Sequence, residues 1–381
     1  MGSHPVALGR RVTALPKSWA VAGRIGVCAV LLAWVFHSIF MQEGANTALR
    51  EGRSWQSLDR SAQWREAWTR GPAELWQTLK RLPAGAGVAS VVFMGMTILL
   101  GTVRWRLVLR AQGLDLSLGR AAEISLVAHF FNSFLLGSSG GDLMKAYYTA
   151  RETHHLKTEA VVTVLADRLI GLLSMLLFAS AMMLLNLGLL FEYRRLAALA
   201  AVVLAMLVAG LALGALSFRG GLSRRWPQTR DWLRRLPKSD LLERALEAAR
   251  RFAAVPGFFF RTFLISTVLN VFCVAQYWAL ARGLGVSLPL PVLFMLVPMI
   301  ICVAALPITP SGLGVRENLY VWTLTIPALG VASTQALSLS LLAYAGSLLW
   351  SVVGAGVYVA FRSRHHLPSP AETKGAATDN S

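Results

Sequence analysis

The stretch GSSGGDLMK places charge directly after a run of small residues in an otherwise apolar segment. Gly140 and Gly141 permit positive φ and let a backbone approach a ligand closely. A helix that begins at such a turn presents unpaired N–H groups and the positive end of its dipole, which attract an anion. Because Lys145 lies one turn inside the predicted helix 142–151, which Asp142 begins, the stretch predicts a site for a phosphate-sized anion.

A second stretch, PSGLGVREN, repeats this pattern later in the chain. Gly312 and Gly314 precede a cation and an acid, Arg316 and Glu317. The helix predicted over 314–326 again begins at a glycine turn, with positive charge in its first turn. Two helix starts of the same kind, far apart in sequence, indicate one anion site built from two parts of the chain.

The composition is typical of a polytopic membrane protein. Of 381 residues, 55% are hydrophobic and 15% are charged, whereas soluble domains carry about 25% charged residues. The net charge of +18 is spread between apolar runs. That spread suits loops facing anionic lipid and gives no separate nucleic-acid-binding domain. Cys28, Cys273 and Cys302 lie in apolar runs and are predicted to be packing residues.

Six apolar runs are long enough to cross a hydrocarbon core of roughly 30 Å. They are residues 21–41, 84–103, 159–190, 196–218, 262–281 and 336–361. The first run follows basic residues and is too long for a cleaved signal peptide, so an uncleaved signal anchor is predicted. Two further apolar segments, 121–137 and 291–331, are interrupted by glycine, proline or charge.

Basic residues between the runs predict the orientation, because loops rich in Lys and Arg stay in the cytoplasm. Residues 1–20 and the loop 219–261, with eleven basic against four acidic residues, are predicted to be cytoplasmic. Residues 42–83, which contain four tryptophans, are predicted to form amphipathic helices on the outer surface. The transmembrane domain is 21–361, and 362–381 is a disordered cytoplasmic tail. The sequence thus predicts a multi-pass membrane protein with both termini in the cytoplasm.

The interrupted segments cannot cross the membrane in this topology. Segment 121–144 begins and ends on the cytoplasmic side, and 291–331 begins and ends outside. Irregular backbone at membrane depth is tolerated where it lines a cavity, and broken segments in two halves of a chain are typical of a midplane transport site. The predicted fold is an all-α polytopic membrane protein with six full spans and two opposed re-entrant hairpins, arranged like an inverted repeat.

Asp167 and Arg168 place two more charges inside an apolar run. Charge at this depth is costly and marks a functional site by default. Because adjacent residues on a helix diverge, each is expected to pair elsewhere. The predicted substrate-binding residues are Lys145, Arg168, Arg316, Gly140, Gly141, Gly312, Gly314 and Asn132. The acids are predicted either to cap helices and pair with these cations, or to carry coupled protons: Asp142, Asp167 and Glu317.

Several other polar or small residues allow more than one interpretation. His129 and Asn132 either line a cavity or bond the backbone, and Glu123 is equally ambiguous. Gly346 and Gly354 are expected to mark close helix packing. The sequence has no metal-ligand spacing, nucleotide-binding loop or dinucleotide fingerprint, so neither a metal nor a cofactor is predicted.

Three motifs resemble those of a known family: FFNSFLLGSSGGDLMKAYYTAR, then ADR, then LPITPSGLGVRENLY. Over roughly residues 20–362 the chain is similar to the flippase-like, or AglD-like, transmembrane region of lysylphosphatidylglycerol synthetase (MprF). The resemblance implies an integral inner-membrane protein, and fused members translocate an aminoacylated phospholipid. Leu136 stands where the family often has proline, and Lys145 where it often has arginine, which costs bidentate phosphate recognition. The aminoacyl-transferase domain of MprF is absent, so the chain is expected not to make lysylphosphatidylglycerol by itself.

The favoured hypothesis is a flippase that moves an anionic phospholipid or polyprenyl-phosphate-linked lipid between leaflets. Its partner would be the phosphate-bearing lipid, with no nucleic acid; a lipid-modifying enzyme and a second copy of the chain remain open as further partners. One alternative is a membrane-embedded lipid-phosphate glycosyl- or acyltransferase with Asp142 or Glu317 as general base. Another is a scaffold that docks through the loop 219–261. A transporter is favoured over an enzyme because no donor-substrate motif is visible.

Overall fold

The computed structural model describes residues 51–133, 139–153, 157–218, 254–306 and 314–364, with single positions between 37 and 49 and residues 251, 252 and 312. The described chain is all-α and has no strand. A 3-10 turn, Trp55–Ser57, precedes the α-helices. These are α1 Arg60–Arg81, α2 Ala84–Ala111, α3 Leu118–Asn132, α4 Ser139–Glu152, α5 Lys157–Leu184, α6 Leu187–Glu192, α7 Arg194–Phe218, α8 Phe258–Gly283, α9 Leu290–Ala304, α10 Val315–Leu324 and α11 Ser333–Arg364.

Five of the described helices are long and apolar enough to cross a membrane: α2, α5, α7, α8 and α11. They correspond to five of the six predicted spans. The sixth, 21–41, lies almost wholly outside the described residues, as do most of the loop 219–261 and of the tail 362–381. The prediction of an all-α polytopic membrane protein is confirmed, whereas the count of six spans stays a prediction.

Small residues let the long helices approach closely. A Cβ added at Gly95 of α2 would lie 2.5 Å from the Trp350 ring of α11, and one added at Gly354 would lie 2.2 Å from the Leu126 carbonyl oxygen. A Cβ at Gly346 would be 3.0 Å from the Gln276 amide. Such contacts are typical of packing between membrane helices. The expectation that Gly346 and Gly354 mark close packing is therefore confirmed.

Two pairs of shorter helices lie among the spans. Helices α3 and α4 have 15 and 14 residues, and α9 and α10 have 15 and 10. The helices of each pair contact one another, and α11 packs against both α3 and α10. A helix that crosses a bilayer needs about 20 residues, so each of these is too short to cross alone. Their lengths suit the predicted re-entrant hairpins, whose depth in the membrane remains a prediction.

Helix α1 has the amphipathic character predicted for the segment 42–83. The Asp59 side chain caps it by accepting the Ala62 N–H at 3.0 Å, as expected of an N-cap aspartate. Trp64 and Trp68 are exposed, and the Trp68 Nε1–H group donates to the His37 ring. Exposed tryptophans on a helix of this kind suit a membrane interface.

Candidate functional site

A cavity of about 300 Å³ lies where the two helix pairs approach each other. Its volume is at the lower end of the range for ligand pockets, about 300–1,000 Å³. The ends of α3 and α9 form part of the wall, and α2, α5, α8, α10 and α11 complete it. The polar side chains among its lining residues are Thr97, His129, Asn132, Ser133, Arg168, Gln276, Tyr277, Arg316, Tyr344 and Ser347. Two arginines from different halves of the chain therefore border one small space.

Arg316 is held at the start of α10 by a closed set of contacts. Its Nη2 donates to Glu317 Oε1 at 2.7 Å, and its Nε donates to Ser340 Oγ at 3.1 Å. The guanidinium carbon lies 4.7 Å from the centroid of the Tyr344 ring. Glu317 Oε2 in turn accepts the Gly314 N–H at 2.6 Å. Glu317 thus caps the helix and pairs with Arg316, which is one of the two predicted roles of the acids; proton coupling stays a prediction.

Arg168 reaches the cavity from the middle of α5. Its Nε lies 2.6 Å from Asp142 Oδ2, which links α5 to the first turn of α4. The Arg168 side chain keeps 38% of its surface exposed, compared with 12% for Arg316. Asp142 therefore pairs with Arg168, as one of the two interpretations of the acids had it. Arg168 is the more accessible of the two cavity arginines.

Lys145 lies on the same helix as Asp142 but is not among the residues that line the cavity. Its Nζ is 3.7 Å from Asp167 Oδ2 and 4.4 Å from the centroid of the Trp105 ring. Asp167 also accepts a hydrogen bond of 2.8 Å from Arg104 Nε. Asp167 and its neighbour Arg168 thus pair with residues of other helices rather than with each other, as predicted. Contact between Lys145 and a substrate stays a prediction.

The comparison with protein families identifies the architecture around this cavity. A family profile described as "Lysylphosphatidylglycerol synthase TM region" matches residues 62–356. The chain belongs to this family. The matched region contains every residue that lines the cavity and both helix pairs. A comparison with curated proteins finds no match.

The glycines of the two family motifs have different structural roles. Gly312 and Gly314 have φ of +70° and +83°, values that residues other than glycine rarely adopt. Gly140 and Gly141 instead lie in the first turn of α4, so positive φ there was a wrong expectation. A Cβ at Gly141 would lie 2.1 Å from the carbonyl oxygen of Ala128. Gly141 therefore allows α4 to cross α3 closely.

Asn132 and His129 line the cavity and also hold the backbone, so both predicted roles apply. Asn132 Oδ1 accepts the Gly141 N–H at 2.9 Å and thereby joins the ends of the first helix pair. The His129 ring lies 3.1 Å from the Ser347 carbonyl oxygen of α11. Glu123, which the sequence left ambiguous, forms an ion pair with Arg120.

The sequence missed six polar residues of the cavity lining, Thr97, Ser133, Gln276, Tyr277, Tyr344 and Ser347. It also missed Arg104, a partner of Asp167. Arg104 directly follows the predicted apolar run 84–103, and it lies within α2 with a side chain only 11% exposed. Its role could have been sought, because Asp167 was expected to pair with a cation on another helix. Gln276 and Tyr277 of α8 line the cavity from a span with no charged residue in its middle, and periodicity gave no signal for them. Cys273 lines the same wall, while Cys302 packs in the core.

Proposed function

We propose that this member of the family moves an anionic membrane lipid between leaflets, with the headgroup phosphate bound between Arg168 and Arg316. The observation that carries the proposal is that two arginines, one from each half of the chain, line one cavity of about 300 Å³. Guanidinium groups match the oxygens of phosphate in a fixed fork and are always charged. The acyl chains would remain in the surrounding lipid.

The position of the cavity supports transport over simple binding. Helices that stop short of crossing, in two corresponding pairs, are the arrangement in which transporters place a midplane site. We propose that the two pairs enter from opposite faces of the inner membrane, with both termini in the cytoplasm. Movement of one pair against the other would then open the cavity to one leaflet at a time.

The test is lipid exchange in liposomes that contain the purified protein and a fluorescent anionic phospholipid. Arg168→Gln is the primary variant, because its side chain is partly exposed and the fold should tolerate the change. We expect the exchange rate to fall by roughly tenfold to a hundredfold, since a hydrogen bond to a charged group contributes about 1.5–3 kcal/mol. Arg316→Gln should have at least as large an effect.

Arg110→Gln is the matched control. Arg110 also pairs with a carboxylate, Asp115 at 3.0 Å, but both side chains are about half exposed or more. Exchange at the wild-type rate in Arg168→Gln and Arg316→Gln alike would reject the proposal. Chemical alteration of a lipid phosphate after addition of a sugar or acyl donor, without exchange, would support the transferase alternative instead.

A further inference from the structure

Among the residues that the structure describes, the charged side chains at the cavity and next to it do not balance. Four positive and three negative side chains of α2, α4, α5 and α10 are joined by ion pairs or are neighbours in sequence; we name them the charge cluster. It consists of Arg104, Lys145, Arg168, Arg316, Asp142, Asp167 and Glu317. The segments 134–138 and 307–311, which follow α3 and α9 in the sequence, contain no charged residue. The cluster therefore has a net charge of +1.

The surplus can be assigned to one side of the cluster. Arg316 pairs with Glu317, and Arg168 pairs with Asp142. Asp167, in contrast, is shared by two cations, because Arg104 Nε lies 2.8 Å and Lys145 Nζ lies 3.7 Å from its carboxylate. Each carboxylate of the cluster contacts a cation, which favours its charged form. The unmatched positive charge thus lies where α2, α4 and α5 meet.

A net charge held among apolar helices costs free energy, because the interior screens it weakly. A ligand with one negative charge neutralises the cluster. With a ligand of no net charge the loaded site keeps a charge of +1, and with a ligand of two negative charges it has a charge of −1. Neutrality of the loaded site therefore discriminates lipids by headgroup charge as well as by shape.

We infer that the site selects lipids whose headgroup is a monoanionic phosphodiester. A phosphodiester carries one negative charge, whereas a phosphomonoester carries about −1.5 to −2 at pH 7. Zwitterionic lipids have no net charge, and an aminoacylated phosphatidylglycerol is positive overall. The inference rests on the proposed function for its biological meaning, but it concerns binding and can be measured without transport. Lys145 acts in it through the charge of the cluster and is a positioning residue.

The first measurement is binding of short-chain lipids to the purified protein in detergent. The probes are dioctanoyl phosphatidylglycerol, phosphatidic acid and phosphatidylcholine. We expect phosphatidylglycerol to bind most tightly. Lys145→Met brings the cluster to zero and should reduce the preference for phosphatidylglycerol over phosphatidylcholine by about tenfold, the effect of one hydrogen-bonded charge. Lys145→Arg keeps the charge and should keep the preference.

A double variant separates charge from local contact. Lys145→Met with Asp167→Asn removes one charge of each sign, so the cluster returns to +1 and the preference should return with it. A purely structural role for Lys145 predicts no such rescue. The inference is overturned if the three lipids bind equally, or if Lys145→Met changes the affinity for all of them by the same factor.

Lipid exchange in liposomes, measured on the same variants, distinguishes the two proposals. Charge-dependent binding without exchange would reject transport and leave the binding inference standing. Exchange at equal rates for the three lipids, with no effect of Lys145→Met on preference, would reject the charge inference and leave transport standing. If no lipid binds and none is exchanged, both are wrong.

Discussion

Two pairs of adjacent charged residues behave differently in the site. Asp167 and Arg168 lie in the middle of α5, where consecutive side chains diverge, and each finds its partner on another helix. Arg316 and Glu317 lie in the first turn after Gly314, and there they contact each other. The Glu317 side chain turns back toward the helix start to accept the Gly314 N–H, which brings it beside the arginine. The capping contact of Glu317 thus explains why Arg316 and Glu317 pair with each other although they are adjacent in sequence.

Removing the negative charge of Glu317 tests how much this pair stabilises the fold. Glu317 and Arg316 side chains are 3% and 12% exposed. In Glu317→Gln the amide oxygen can still accept the Gly314 N–H, but Arg316 loses its counterion. We expect the free energy of unfolding in detergent to fall by about 3–5 kcal/mol, because breaking a buried pair leaves an uncompensated charge.

The control for this change is Asp115→Asn, which removes the exposed partner of Arg110. An exposed pair of this kind is worth about 0–1 kcal/mol. Equal stability losses in the two variants would show that the Arg316 pair is solvated in the folded protein.

At the level of helices, the sequence predicted five described spans and both short pairs, because apolar length and interruption are local signals. The predicted helices 142–151 and 314–326 are observed as Ser139–Glu152 and Val315–Leu324. Gly141 does not adopt the positive φ that was expected, and its close backbone approach is made to α3, which depends on tertiary packing. Arg104 was missed for a related reason. A charged residue at the end of an apolar run predicts the end of the span, and only the position of Asp167 on α5 shows that Arg104 has a buried partner.

Gly141→Ala tests the packing of α3 against α4. The added methyl group would lie 2.1 Å from the Ala128 oxygen and 2.4 Å from Asn132 Cγ, so the two helices must separate. Overpacking of this kind typically costs about 1–3 kcal/mol, and we expect the loss in thermal stability together with slower lipid exchange.

Gly85→Ala is the matched control for Gly141→Ala. A Cβ at Gly85 meets no atom within 4 Å, and Gly85 lies in the first turn of α2. The two alanine variants should therefore differ clearly in thermal stability. Similar stability would mean that α3 and α4 can shift apart without loss.

Across the whole molecule, the fold class followed from composition and the distribution of charge. The pairing of particular acids with particular cations did not follow, because several pairings satisfy the same sequence. The sequence left open which cation each of Asp142, Asp167 and Glu317 contacts. Only the relative placement of α2, α4, α5 and α10 selects among them.

The orientation of the protein in the membrane is a prediction at this scale. Single cysteines at Ser61 in α1 and Gly119 in α3, in a background without Cys28, Cys273 and Cys302, provide exposed positions on the two predicted sides. A membrane-impermeant thiol reagent applied to intact cells should label Ser61→Cys and spare Gly119→Cys. The opposite pattern would invert the topology, and disrupted cells should label both.

The native Cys273 gives the cavity a chemical reporter of its own. Its thiol belongs to the cavity wall, while Cys302 is fully enclosed in the core. A small thiol reagent that enters the cavity can reach Cys273, and a headgroup that fills the cavity blocks the reagent from it. The alkylation rate of Cys273 therefore measures how often the cavity is occupied. The measurement uses unlabelled lipid and needs no engineered residue.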